Sequence, residues 1–107
     1  MKGPNSPDRD KEFAQLRAAN ARVRRQFLEA ELGTCLTTIQ VGEFELSAGN
    51  VPIAEKEVVS AEKAIHVIER FLPAVSEEER AGLTAKLQGL QARLDNLKSS
   101  LRSRRAG

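Results

Sequence analysis

Residues 76–102 read SEEERAGLTAKLQGLQARLDNLKSSLR, and the leucines in this stretch decide the fold. Leu83, Leu87, Leu90, Leu94, Leu97 and Leu101 follow one another at steps of four, three, four, three and four. That spacing keeps one side of an α-helix apolar along its whole length, with Arg93, Lys98 and Arg102 at the sides of the seam. The start of the helix is marked as well. Ser76 stands three residues before Glu79, the arrangement in which serine and glutamate satisfy two free backbone donors, and the acids Glu77 to Glu79 suit the positive helix end. A leucine seam of this length needs other helices to pack against.

Working back from Ser76, Leu72-Pro73 ends a second helix of about 20 residues, because proline lacks the donor that a helix interior requires. Its apolar face reads Ile53 or Ala54, Val58, Ala61, Ala64 or Ile65, Ile68 and Phe71. Ser47-Ala48-Gly49-Asn50-Val51-Pro52 is the clearest turn in the chain. Gly and Asn tolerate left-handed backbone, Asn50 is the expected cap, and Pro52 suits a first helical turn. Before that turn lies a first helix from about residue 7 to 48, with Ser6 as cap and Pro7 at its first position. Phe13, Leu16, Ala19, Val23, Phe27, Ala30, Thr34, Thr37, Val41, Phe44 and Ala48 recur on it at steps of three or four, which predicts a core-facing stripe. Gly33 is the place for a kink or break.

The composition agrees with helices throughout. Hydrophobic residues make up 40% of the 107-residue chain and charged residues 30%, while aromatics are 4%, all of them Phe. Strands favour β-branched and aromatic residues, whereas Ala, Leu, Glu, Arg and Lys dominate here. The length allows one core and excludes a multidomain enzyme. The expected structure is therefore all-α, an antiparallel bundle of three long helices, or four if the first breaks near Gly33. Its core is expected from Val41, Phe44, Val58, Ile65, Ile68, Leu83, Leu87 and Leu90. One helical domain spans residues 1–107, with flexible ends at 1–5 and 103–107.

The middle of the chain, from about residue 35 to 66, resembles one unit of the tetratricopeptide repeat family. Val41-Gly42 resembles the hydrophobic-glycine step of the first helix, Ala48 its small residue, Gly49-Asn50 the turn, and Ala54, Val58 and Ala61 the packing positions of the second helix. Thr38 and Glu45 stand where the repeat usually has aromatic residues, His66 where it has proline, and no second copy follows. The resemblance implies a helical hairpin in the middle of the bundle, with a groove lined by Leu36, Ile39, Glu43, Leu46 and Ser47. The lysine and asparagine set that family members use for a peptide carboxylate is missing from those positions.

Charge is unevenly spread. Residues 1–28 hold seven basic and three acidic groups, residues 29–79 three and eleven, and residues 80–107 seven and one. Such segregation steers a chain onto itself, onto a second copy or onto a charged partner. Arg22, Arg24, Arg25, Lys98, Arg102, Arg104 and Arg105 could neutralise phosphates, which makes a small nucleic-acid-associated protein the competing reading, although stacking aromatics are missing. No apolar run reaches the roughly 20 residues of a membrane-spanning helix, no secretory signal stands at the start, and the lone Cys35 has no partner for an internal disulfide. A cytoplasmic location is the expectation.

Chemistry has few carriers. Cys35 and His66 are the only thiol and imidazole, and nothing near Cys35 resembles an oxyanion site, so a buried structural cysteine is expected. Glu62, His66 and Glu69 share a helical face but fall short of the Glu-x-x-His pairs of di-metal bundles, so Glu62 and His66 read as a surface pair beside Arg70. No catalytic residue, metal site or cofactor is expected. A first helix of roughly 60 Å is twice the length of the second, so part of it overhangs. The predicted function is a non-catalytic protein–protein interaction module, self-associating as a dimer or taking a helix from a protein partner. Its expected surface is Phe13, Leu16, Val23, Phe27, Leu36, Ile39, Leu94, Leu97 and Leu101.

Overall fold

The computed structural model describes residues 7–106, with side chains from Lys11 onward except those of Phe13 and Arg17. Residues 1–5 and 107, within the ends expected to be flexible, and the Ser6 cap lie outside this range. Three helices, α1 (Pro7–Ser47), α2 (Val51–Phe71) and α3 (Glu77–Ala106), are joined by a tight turn and by one 3₁₀ turn at Leu72–Ala74. Among the described residues there is no strand, and no helix is long and apolar enough to cross a membrane.

Local chemistry sets the boundaries. α1 stops where Gly49 takes φ +86°, a conformation that costs glycine nothing. Its N–H donates to the Leu46 carbonyl at 3.0 Å, and the Asn50 N–H donates to the Glu45 carbonyl at 2.8 Å. Together these bonds satisfy the last carbonyls of the helix. Asn50 occupies the cap position of α2, but its side chain does not cap. Its Nδ2 donates to Glu45 Oε2 at 2.6 Å instead. α2 ends at Phe71 ahead of Pro73, and the Glu79 N–H donates to Ser76 Oγ at 3.4 Å at the start of α3. Arg80 closes this second connection, donating from Nη2 to the carbonyls of Pro73 and Val75 at 3.1 and 2.7 Å. α3 is helical through Ala106, past Ser103 where fraying is expected. α1 passes through Gly33 without a break, so the bundle has three long helices rather than four.

The core consists of three seams with the same four-three spacing. α3 contributes all six leucines, and α2 contributes Ala54, Val58, Ala61, Ile65 and Ile68, with Val75 closing the end. α1 contributes Leu28, Leu32, Cys35, Ile39, Gly42 and Leu46, every one of them buried. Burying a leucine or isoleucine fully contributes about 1.5–3 kcal/mol, so these seams hold the bundle together. Contacts run in a consistent order. Phe27 meets Phe71, Cys35 meets Ala61 and Gly42 approaches Ala54 and Glu57, while Arg25 meets Glu79 and Glu43 meets Arg93.

The expected core is corrected on α1. Val58, Ile65, Ile68, Leu83, Leu87 and Leu90 are buried, but Val41 is 39% and Phe44 67% exposed. Two apolar stripes of equal period run along α1, and the bulkier one points away from the other helices. The inner stripe reaches the core with the small residues Cys35 and Gly42, which carry little hydrophobic signal and allow close helix approach.

Arg24, Arg25 and Phe27 are the positions where α1 meets the turn between α2 and α3. N-terminal to them α1 projects for roughly 17 residues, about 25 Å, and the molecule measures 77 × 20 × 16 Å. Every described side chain from Lys11 to Arg24 is exposed.

Candidate functional site

Five of the eight large hydrophobic residues exposed among the described residues lie on the outer face of α1, the others being Ile53, Val59 and Phe71 of α2. Leu16 (59%), Val23 (62%), Phe27 (42%), Val41 (39%) and Phe44 (67%) are exposed, and heptad spacing places them on one side. Counted at 100° per residue, that side lies well over a quarter-turn from the buried seam. The Phe27 ring meets the Phe71 ring of α2 edge-on, at 5.6 Å between centroids. Leu16, Val23 and Phe27 lie toward the overhang and Val41 and Phe44 toward the turn, with the small residues Ala30, Thr34 and Thr37 at the positions between.

The structure divides the expected interaction surface. Leu16, Val23 and Phe27 lie on this outer face, and Phe13 occupies the same stripe on α1, its side chain outside the described residues. Ile39, Leu94, Leu97 and Leu101 are instead core residues, at 5% exposure or less, and cannot meet a partner while the bundle is intact. The leucine seam of α3 is already satisfied by α1 and α2. Leu36 is half-buried against the core and lines an open groove of about 380 Å³ between α1 and α3, with Gly33, Gly89 and Arg93 among its walls. The groove implied by the repeat-like hairpin is occupied by α3: Ile39 and Leu46 are buried, and Glu43 accepts two hydrogen bonds from Arg93 Nε and Nη2 at 2.9 and 2.8 Å. That pairing pushes the Arg93 guanidinium further up, through the hydrogen bonds first and the charge second.

The basic residues do not form one patch. Arg25 is paired with Glu79 at 3.2 Å, Lys98 with Glu62 at 3.3 Å and Arg105 with Glu55 at 2.6 Å. Arg24 donates to the Ala74 carbonyl at 3.5 Å. Arg22, Arg102 and Arg104 are exposed. Arg22 to Arg25 sit beside the turn that follows α2, whereas Arg102 to Arg105 sit beside its first residues, so the two clusters lie at opposite ends of the bundle.

Cys35 and His66 are not brought together. Cys35 is fully buried, its Sγ 3.7 Å from the Ala61 carbonyl, and burial, with the Glu31 carboxylate second, pushes its thiol up. A thiol held protonated is a poor nucleophile. His66 is out in solvent, 3.8 Å from Glu69, and Glu62 reaches Lys98, so the expected Glu62–His66 pair does not form. Among the described residues no three His, Cys, Asp or Glu side chains are grouped to hold a metal ion.

Val41 and Phe44 belong to the exposed face and were missed as surface residues. The signal that identifies them is the inner series Leu28, Leu32, Cys35, Ile39, Gly42 and Leu46, which competes for the core at identical spacing. Compared with family models, with curated proteins and with solved structures, the chain finds no match.

Proposed function

We propose that this protein is a non-catalytic interaction module that self-associates as a dimer through the outer face of its long first helix. One observation carries the reading: a helix already supplied with a complete core seam exposes a second series at heptad spacing, with Leu16, Val23 and Phe27 toward the overhang and Val41 and Phe44 toward the turn. A helix face of that kind binds another helix along matching anchors. The order of contacts supports reading the bundle as antiparallel, with an α1–α2 hairpin akin to one tetratricopeptide unit that serves as a rigid mount for α1. An unpaired, buried Cys35 is in keeping with a reducing cytoplasm.

The test is the solution mass of variants carrying Val23→Glu or Phe44→Glu, measured by light scattering beside the wild-type chain. Either substitution is expected to halve the mass while leaving the helical circular dichroism unchanged. A wild-type dimer that both variants retain would overturn the reading.

A further inference from the structure

Building on that self-association, we infer that the second copy lies antiparallel along the outer face of α1, in the register that sets Leu16 of one chain against Val41 of the other. The outer residues fall into two sets spaced by seven: Phe13, Asn20, Phe27, Thr34 and Val41, and Leu16, Val23, Ala30, Thr37 and Phe44. These are the two core positions of a heptad, and they run the length of the helix. The inner seam does not. Stepping back by sevens from Leu28 and Leu32 gives Ala21 and Ala14, and Arg25, Ala18 and Lys11. The overhang thus carries its apolar bulk on the outer face alone. It extends the outer seam beyond the bundle and has no core of its own to complete.

Charge sets the direction. On α1, residues 7–28 hold six basic and three acidic groups, and residues 29–47 hold four acidic groups and no basic one. An antiparallel partner lays the positive half of each helix on the negative half of the other. The positions flanking the seam on one side are Asp10, Arg17, Arg24, Glu31, Thr38 and Glu45. In the register with Leu16 facing Val41, Arg24 comes level with Glu31 of the second copy, twice by symmetry, while Asp10 comes level with Glu45, so the direction is set by the opposite charge of the two halves of the helix rather than by the flank as a whole. Parallel pairing stacks like halves and matches only Glu12 with Arg17, because the remaining residues on the other flank, Ala19, Gln26, Gly33, Gln40 and Ser47, carry no charge.

The side chains of the seam set the register. With Leu16 facing Val41, Asn20 faces Thr37, Val23 faces Thr34, Phe27 faces Ala30 and Phe13 faces Phe44. Asn20 meets the polar Thr37, Val23 meets the methyl-bearing Thr34, and the large Phe27 ring meets small Ala30 next to the twofold axis. A slip of one heptad either way sets Asn20 against Phe44, or Val41 against Arg9.

Pulsed electron spin resonance between copies tests this on Glu29→Cys and Gln15→Cys, both labelled with a nitroxide at exposed positions away from the seam, with wild-type protein as the blank for buried Cys35. Antiparallel pairing in this register gives a short distance for Glu29→Cys, below about 25 Å, and roughly 40 Å or more for Gln15→Cys, the rise of about 27 residues. Short distances for both sites mean a parallel dimer and overturn the inference. A dimer by mass with neither coupling overturns it too, by placing the interface elsewhere. A monomer by mass removes the self-association on which it rests.

Discussion

Gly42 of α1 sits directly beneath Leu97 of α3: a Cβ added at Gly42 would lie 2.8 Å from Leu97 Cδ2 and 3.3 Å from Glu57 Cβ. Leu97 is itself only 3% exposed and has little room to give way. Alanine would gain up to about 1 kcal/mol of helix propensity but meet an overpacking cost of about 1–3 kcal/mol. Gly42→Ala is therefore expected to lower the urea midpoint, and Gly42→Val to lower it further. Gly33→Ala, with nothing within 4 Å of the new Cβ, is expected to raise it by the propensity gain alone.

Cys35 gives the bundle a pH dependence at the alkaline end. Burial, aided by Glu31, holds its thiol above the ordinary range, so the folded chain keeps a proton that the unfolded chain has already released. This contribution is intact below the unfolded thiol's pKa of ~8.5 and is lost as pH rises toward the folded value, at no more than ~1.4 kcal/mol per pH unit. Urea unfolding of wild type between pH 7 and 10 is expected to weaken more steeply than that of Cys35→Ala. Parallel curves would remove the effect.

The two stripes of α1 predict opposite responses to truncation. Ile39→Ala removes a fully buried side chain and is expected to cost about 2–5 kcal/mol. Val41→Ala, two residues on, is expected to change the stability of the dilute monomer by no more than about 0.5 kcal/mol while loosening the dimer. Denaturant unfolding at low protein concentration, paired with sedimentation at high concentration, separates the two effects.

Charge exchange across the proposed interface makes a further prediction. Arg24→Glu is expected to raise the dimer dissociation constant severalfold at low salt, and Glu31→Arg in the same chain to restore it, because the swapped pair meets again across the twofold axis. At about 0.5 M salt, where the Debye length is a few ångströms, the difference should shrink. Sedimentation velocity on the two variants checks it.

Much of the fold was legible because its signals were local. Pro73, the Gly49-Asn50 turn, Ser76 and the leucines of α3 each act over a few residues and mark ends and faces directly. The phase of α1 was not legible in the same way. A helix with apolar residues at heptad spacing on two faces offers two solutions, and Phe13, Phe27, Val41 and Phe44 outweigh Cys35 and Gly42 on any hydrophobicity count. Only the fit of small residues under α2 and α3, a property of all three helices together, chooses the inner face. The same ambiguity displaced the candidate site: Ile39, Leu94, Leu97 and Leu101 looked available for a partner until the bundle used them, whereas Val41 and Phe44 looked buried until it did not.

Sedimentation equilibrium of the unmodified chain over a range of concentrations addresses the central claim most directly, since the outer seam of α1 is either paired with a second copy or left in water. The account predicts a particle of twice the 11.8 kDa chain mass that persists at high salt and dissociates only on dilution. A particle of 11.8 kDa at every concentration would contradict it.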